Sequence, residues 1–432
     1  MSSILTNNGA MVALQTMKSI SKNMGQVQAE ISTGMAVGSA KDNAAVWAIA
    51  KTMESDVAGF KSISDSLSLG NSTISLARSA SEQITKLLEE VKGKIVNSQE
   101  ENVDRSKIQA DIGALRDQIS SIVGAAQFNG LNMLSNKSKT VGTGTVNVLS
   151  SLDRASDGTV AASNINVGKS DLSTTTSVVG GTALAVGAAL TAKATGAATT
   201  AATALTGAAS APTTAITIVA GAVVAGDGYN ITLTAGAAGL ATANTASIQD
   251  IRYVARDGDT AADVAKGLAS AFNDYAKKQG LDTQMSAAVG TGATANVLTL
   301  TGSTTVGNNV TAQLLAYAPA GNTIGGGLEK LSTVDVSTSA GAESALAVIE
   351  GLTQTAIQAA SDFGTAQKRI EIQQTFVGNL VDSLKSGIGS LVDANMEEAS
   401  ARLQALQVQQ QLATQSLSIA NQAPQNILAL FR

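Results

Sequence analysis

The chain has 432 residues and a formal net charge of −5, which gives no reason to expect a nucleic-acid partner. It contains neither His nor Cys, so the commonest general base, the commonest metal ligand and every thiol nucleophile are missing. Its length predicts more than one buried core, and therefore more than one domain.

The first stretch, residues 1–31, is predicted to be a helix after a short polar lead. Its apolar residues recur at alternating steps of three and four, which is the spacing of a helix that buries one narrow stripe against another helix. The following stretch, 32–43, contains Gly34 and Gly38 and is predicted to be a loop, with Asp42 or Asn43 capping the next helix. The stripe consists of Ala10, Ala13, Met17, Ile20, Met24, Val27 and Ile31.

Two more helices are predicted before residue 127. The first runs from the candidate cap to about Asn97, and the second follows a polar break, with Asp104 as its candidate cap. Their predicted apolar stripes are Leu67, Gly70, Ile74, Ala77, Ser81, Ile84, Leu88, Val91 and Ile95 on the first, and Ile108, Ile112, Leu115, Ile119, Ile122 and Ala126 on the second.

The character of the chain changes at Gln127. Short strand patterns separated by Gly, Ser and Asp predict a hairpin over residues 141–160. Residues 178–211 are rich in Ala, Thr and Gly, and their pattern leaves open whether they form β structure. Residues 214–317 alternate strand patterns with one amphipathic helix, carrying Val264 and Phe272 on its apolar face and Asp259 or Thr260 at its start, and they predict a small α+β domain.

Helix is predicted again from near Ala342, with a stripe that includes Ile370, Val377 and Leu384. The last stretch, Met396 to Arg432, repeats the three-four spacing, and its run before Pro424 would be roughly 40 Å long. Because both chain ends need a helical partner, we expect them to lie side by side, with everything between them looped out. The last stripe consists of Met396, Ala399, Leu403, Leu406, Gln410, Ala413, Leu417 and Ala420.

Three motifs resemble chemical sites. Residues 163–170, SNINVGKS, match a phosphate-binding loop except at Ser163, but no strand-to-helix transition follows, so a hairpin turn is predicted. Gly325 to Gly327 are predicted to be a hinge linker. The adjacent carboxylate pairs point in different directions on a helix and are predicted to be solvated or intersubunit charge; they are Glu89–Glu90, Glu100–Glu101 and Glu397–Glu398. No catalytic, metal-binding or cofactor-binding residue is expected.

No stretch has the length and apolarity of a membrane span, and the first residues lack the pattern of a cleaved secretory signal. Because no catalytic site is expected, a structural polymer subunit is one remaining hypothesis. An enzyme or ligand-binding module carried by residues 214–317 on a helical stalk remains as the other.

Three separated segments resemble bacterial flagellin, in the same order: ISTGMAVGSAKDNAAVWAIA, QFNGLNML and ANQAPQNILALFR. The resemblance covers about residues 1–150 and 340–432, and the N-terminal style is similar to that of alphaproteobacterial flagellins. It implies a mainly α fold with an inserted β-rich region. The implied domains are an inner terminal coiled coil (1–42 and 394–432), a helical domain with a β-hairpin (43–160 and 336–393) and a variable outer α+β insertion (161–335).

The resemblance implies a structural subunit of the flagellar filament, which self-assembles through its terminal helices into a hollow helical propeller and is not an enzyme. A hook–filament junction protein is the alternative. The implied partners are further copies of the chain, alone or with other flagellins, the type III export apparatus and its chaperone, and hook-associated and cap proteins. The implied location is the extracellular flagellum, after export without a cleaved signal. The stripe residues of the two terminal helices are the predicted subunit interface.

Flagellins are commonly sensed in vertebrates by a Toll-like receptor, which reads the helix corresponding to about residues 86–97 here. In the activating pattern an Arg and, four residues on, a Leu are central contacts. This chain has Glu90 and Lys94 at those positions. The resemblance therefore implies a diverged recognition stretch and a weak agonist, with Glu90 and Lys94 matched as an ion pair along the helix.

Overall fold

The computed structural model of the chain describes residues 7–154, 159–186, 188–235 and 249–430. Long helices lie towards both ends of the chain, and shorter elements lie between them. The helices are α1 (Asn8–Thr33), α2 (Ala44–Asn97), α3 (Arg105–Ala125), α4 (Ala188–Thr191), α5 (Ala197–Thr200), α6 (Ala261–Lys278), α7 (Ser339–Val392) and α8 (Met396–Leu430).

The described residues form two compact units. The first contains Met1–Asp65, Ser151–Ala161 and Gln374–Arg432, and the second contains Ser66–Ser150 and Ala162–Gln373. The finer three-part division that the flagellin resemblance implies stays a prediction.

Side-chain caps begin α2 and α3, as the sequence indicates. The Asn43 side chain accepts a hydrogen bond from the Val46 N–H at 3.2 Å, so Asn43 caps α2, while Asp42 turns back to Ser39. Asp104 accepts from the Lys107 N–H and caps α3. These bonds satisfy N–H groups that a helix start leaves without a partner.

The helical part of the second unit is held together by buried stripes. The predicted α2 stripe from Leu67 to Ile95 is buried throughout. Gly70 fits this stripe because a Cβ at that position would come within 2.6 Å of the Val148 side chain. On α7 the buried stripe begins much earlier than the prediction placed it, and consists of Ala342, Ala345, Ile349, Leu352, Ala356, Ala359, Phe363, Ala366 and Ile370.

Two hairpins follow α3 in the chain. The strands β1 (Gln127–Phe128) and β2 (Leu131–Asn132) pair antiparallel, as do β3 (Thr145–Arg154) and β4 (Val160–Gly168). Residues 163–170, which resemble a phosphate-binding loop, therefore form the second half of strand β4 and the two residues after it, and not the predicted hairpin turn. The Lys169 N–H donates to the Gly144 carbonyl, which continues the sheet and leaves no place for a phosphate-binding helix start.

Residues 194–317 of the second unit, which we call its outer part, form two four-stranded sheets and α6. The sheet orders are β10–β11–β7–β5 and β6–β12–β8–β9. A Thr260–Asp263 capping box starts α6, whose apolar face, including Val264, Leu268 and Phe272, is buried in the core of this part. The strands are β5 (Ala194–Thr195), β6 (Thr203–Leu205), β7 (Thr213–Ile218), β8 (Gly228–Ala235), β9 (Arg252–Val254), β10 (Ser286–Val289), β11 (Val297–Thr301) and β12 (Val310–Tyr317).

The Ala/Thr/Gly-rich stretch, which its pattern left open, completes both sheets. Strand β5 pairs with β7, and β6 pairs with β12, so residues from this stretch form an edge of each sheet. Leu190 and Leu205 enter the same buried core as the strands that were predicted. The α+β part of the chain therefore begins before the predicted residue 214.

Gly325 to Gly327 are not a hinge. The Gly326 N–H donates to the Thr175 carbonyl and the Gly327 N–H donates to the Asp171 carbonyl. A Cβ on Gly326 would lie 1.7 Å from the Ser173 carbonyl oxygen. Glycine is needed here because the backbones of residues 171–175 and 325–327 are in direct contact. We call this contact between the two segments the packed joint.

Candidate assembly interface

The predicted stripes of α1 and α8 face each other, and we call these two helices the terminal pair. The predicted pairing of the N- and C-terminal helices is confirmed. Its buried core is short, because Ala and Met fill much of the stripe. Four half-buried apolar residues, Met17, Met24, Ile31 and Leu403, pack around this core.

Stated by helix, the buried core of the terminal pair contains Ile20 and Val27 from α1 and Ala399, Leu406 and Ala413 from α8. The other predicted stripe residues of the pair, Ala10, Ala13, Gln410, Leu417 and Ala420, are half-buried. Met396 differs, because it is the first residue of α8 and its side chain is 43% exposed.

One polar residue fixes the register of the terminal pair. The Asn7 side-chain oxygen accepts from the Ala10 N–H at 3.0 Å and caps α1, while its amide nitrogen donates to the Ala420 carbonyl of α8 at 2.8 Å. In a regular helix that carbonyl would accept from residue 424, but Pro424 has no N–H. Asn7 therefore supplies the hydrogen bond that the proline removes. This contact replaces the missing donor at the place where α8 runs through Pro424 to Leu430.

The opposite end of the terminal pair is closed by backbone. Gly34 ends α1 in the left-handed conformation, with a φ of 74°. The next residue, Met35, pairs with Asp393, and the Ala394 N–H donates to the Gly34 carbonyl at 2.9 Å. The end of α1 and the start of α8 are thus tied together through residues that carry no stripe pattern.

A second apolar stripe on α8 faces away from α1, and we call it the outer stripe. It consists of Val408, Leu412 and Ile419, whose side chains are 56%, 59% and 69% exposed. On α1, Met11, Val12 and Leu14 are also exposed. Sequence reasoning missed this surface, although the spacing of four and seven residues in the outer stripe was a readable signal.

The outer stripe lies on the part of α8 that carries no charge. After Arg402, α8 contains no Asp, Glu, Lys or Arg up to its last residue, and Gln is its commonest polar residue. Burying such a surface requires no charge to leave water, which removes the largest penalty of association. The terminal pair therefore offers a surface suited to burial against another chain.

The two predicted receptor-recognition residues lie on the second half of α2. Glu90 is exposed, whereas Lys94 is half-buried and forms an ion pair with Asp111 of α3. The hydrogen bond with Asp111 is the main reason that the pKa of Lys94 is raised. The predicted pairing of Lys94 with Glu90 is therefore wrong in its partner, because α3 brings a closer carboxylate.

A buried polar cluster in the outer part of the second unit has the most perturbed acid–base groups. The Tyr253 hydroxyl and the Arg256 N–H both donate to Asp259 at 2.7 Å, and burial raises the pKa of Tyr253 and of Asp259. The Arg256 guanidinium donates to the Gly325 carbonyl at 3.0 and 3.1 Å. These groups hold the packed joint, so their perturbed pKa values follow from a structural role.

Within the described ranges, none of the helices has the length and hydropathy that a membrane crossing requires. The same residues contain no group of three or more Asp or Glu arranged to hold a metal ion.

Two family models match the chain. Residues 4–139 match the bacterial flagellin N-terminal helical region, and residues 346–431 match the bacterial flagellin C-terminal helical region. The first match contains α1 and the second contains α8, so each contains one helix of the terminal pair.

Full-length relatives give the same result. Flagellin A of Rhizobium meliloti is 34% identical over 440 residues, and Flagellin D of Rhizobium meliloti strain 1021 is 35% identical over 443 residues, each covering 100% of both chains. The solved flagellar hook associated protein-3 of Legionella pneumophila is only 11% identical, covers 79% of this chain and 98% of its own, and has a TM-score of 0.34, which is too low to support a conclusion. The chain therefore belongs to the bacterial flagellins, of alphaproteobacterial type, and is a structural subunit of the extracellular flagellar filament.

Proposed function

We propose that subunits join the filament through the terminal pair. The stripes of α1 and α8 hold the pair together within each subunit, and the outer stripe is buried against further copies of the chain. The observation that supports this most is the exposed, charge-free apolar surface of α8. Exposed patches of this kind mark protein–protein contacts.

The proposed contact joins different surfaces of successive subunits. Such a heterologous contact does not close a ring when its rotation is open, and an open helical polymer results. Because the terminal pair has a small core, it has little stability of its own, and assembly would supply the burial that it lacks. The proposed role is structural, without an enzymatic activity.

Replacing Leu412 by Asp tests this proposal. Leu412 makes no contribution to the core of the terminal pair, so helix pairing should survive, whereas a charge in a subunit contact should prevent assembly. Purified Leu412→Asp protein is expected to give no filaments by negative-stain microscopy after seeding. The matched control is Val306→Asp in the outer part, where the side chain is 77% exposed and assembly should be normal. Ordinary filaments from the Leu412 variant would refute the proposal.

The family relationship also supports partners beyond the chain itself. We propose export through the flagellar type III apparatus, with a chaperone, and assembly between hook-associated and cap proteins. Export without signal cleavage would leave helix α1 on the exported subunit, so mass spectrometry of filaments should recover peptides that cover Asn8–Thr33. A filament subunit that lacks these residues would contradict uncleaved export.

We further propose that Glu90 and Lys94 make this flagellin a weak agonist of the vertebrate receptor. An acidic side chain where the receptor expects a cation reverses a charge in the contact, and Lys94 is already held by Asp111. In a receptor reporter assay, Glu90→Arg with Lys94→Leu is expected to raise the activity at matched monomer concentration. Wild-type activity equal to that of a strongly activating flagellin would contradict this.

A further inference from the structure

A groove of about 350 Å³ lies where the end of β4 meets α7, within the second unit. The β4 side contributes Gly168, Lys169 and Ser170, just after the stretch that resembles a phosphate-binding loop. The α7 side contributes Asp362 and Arg369, with the buried Phe363 between them. Two backbone hydrogen bonds hold the β4 side of the groove, from the Ser170 N–H to the Met133 carbonyl and from the Lys169 N–H to the Gly144 carbonyl.

The two cations of this groove lack acidic partners. Neither the Lys169 ammonium nor the Arg369 guanidinium forms an ion pair or a side-chain hydrogen bond with any residue that the structure describes. The single carboxylate of the groove, Asp362, accepts from the Gln358 side chain at 2.8 Å. The groove is therefore positive in a chain whose net charge is −5. Its chemistry suits a ligand with two carboxylates.

The chain itself carries such a ligand. Glu100 and Glu101 lie side by side in the loop between α2 and α3, and both are exposed. The Arg105 guanidinium donates to the Glu100 carbonyl at 2.9 Å and holds the loop in place, while both carboxylates stay free of ion pairs with described residues. The acidic pair is thus presented on a fixed loop.

This loop is too far along the helices to reach the groove of its own chain. Arg78 donates to the Gln367 side chain at 2.9 Å, which places the groove beside that level of α2. The part of α2 between Arg78 and Asn97 rises roughly 28 Å at about 1.5 Å per residue. An acidic loop can fill the groove only from a second copy of the chain.

We propose that the Lys169–Arg369 groove receives the Glu100–Glu101 loop of a neighbouring flagellin subunit. This inference rests on the proposed function, since it assigns a second contact to the same polymer. The contact is heterologous, because it joins the loop of one subunit to the groove of another. Within one subunit the two sites lie roughly 28 Å apart along α2, so the contact fits an open helical assembly. It also supplies charge complementarity, which fixes the register between subunits and which the uncharged part of α8 after Arg402 cannot supply.

Charge reversal and charge exchange test this contact. Replacing Lys169 and Arg369 by Glu should raise the critical concentration for filament growth by about tenfold or more, because like charges would meet. Adding Glu100→Lys and Glu101→Lys to that variant exchanges the charges and should return the critical concentration to within about threefold of wild type. The wild-type value should also rise with ionic strength, since salt screens an exposed contact.

The matched control reverses two exposed lysines of α6, Lys266 and Lys278, and makes the same change in net charge. It should polymerise like wild type. Thermal unfolding of each monomer, followed by circular dichroism, separates misfolding from a lost contact. If the groove variant folds and polymerises normally, or if the exchange gives no recovery, the inference is overturned. Failure of the wild-type chain to form filaments would instead overturn the proposed function.

Cross-linking tests the contact without reversing the charge on either side. The native chain has no Cys, so Lys169→Cys with Glu101→Cys introduces the only thiols. The two positions are too far apart in one chain for a disulfide, which needs Cα atoms within about 7 Å. Oxidised filaments should therefore give a ladder of linked subunits on a non-reducing gel, and oxidised monomers should not. Filaments that give no ladder above that of Lys266→Cys with Glu101→Cys would also overturn the inference.

Discussion

Replacing Leu406 by Asp is expected to abolish both the terminal pair and filament assembly. Leu406 lies in the buried core between α1 and α8, and its neighbours in that core are apolar. Leaving a charge buried and unpaired costs about 3–5 kcal/mol. The terminal pair has few other buried residues with which to offset that cost. Seeded growth, measured by sedimentation and microscopy, should give no filaments.

Leu406→Met provides the control for this substitution. Leu and Met have similar volumes, and such exchanges usually cost less than about 1.5 kcal/mol, so the variant should polymerise. Normal filaments from Leu406→Asp would show that the contact between α1 and α8 is unnecessary for assembly.

Replacing Gly326 by Ala is expected to destabilise the outer part of the second unit strongly. The added Cβ would overlap the Ser173 carbonyl oxygen, and this neighbour is backbone, which cannot rotate away. The two crossing segments would have to separate and break the Gly326–Thr175 hydrogen bond, at a cost of about 3 kcal/mol or more. The four tyrosines of the chain, Tyr229, Tyr253, Tyr275 and Tyr317, all lie in this part, so the tyrosine circular dichroism band reports its melting.

Gly93→Ala is the matched control, because the same substitution is made in a helix where nothing lies within 4 Å of the added Cβ. It should stabilise α2 by about 0.5–1 kcal/mol, since Ala favours helix over Gly. An unchanged tyrosine melting temperature for Gly326→Ala would contradict the packed joint and restore the hinge interpretation.

Periodicity predicted the helices well, for a physical reason. A stripe at three-four spacing has one favourable way to be buried, so the stripes on α1, α2 and α8 could be read before any partner was known. The helix was predicted from near Ala342, but the buried stripe on the early half of α7 was missed, because Ala342, Ala345, Ala356 and Ala359 are small and carry little hydrophobic signal. The fold class, mainly α with an inserted β-rich region, is confirmed.

Contacts between distant residues could not be read in this way. The close approach of Gly326 to Ser173, and the donation from Asn7 to the carbonyl freed by Pro424, each join segments far apart in the sequence. Lys94 had an acidic residue four positions away, yet its ion pair is with Asp111, which α3 brings closer. The outer stripe was readable but was hidden by the stronger pattern of the inner one.

The most direct measurement of the proposed assembly is the rate of thiol labelling at residue 412 before and after polymerisation. Leu412→Cys places a single thiol on the outer stripe of a chain without native Cys, and Val306→Cys places one on the outer part as a reference. If the terminal pair is buried between subunits, a maleimide should label position 412 rapidly in monomers and at least about tenfold more slowly in filaments, because burial excludes the reagent, while position 306 changes little. Equal labelling of position 412 in monomers and filaments would contradict assembly through this surface.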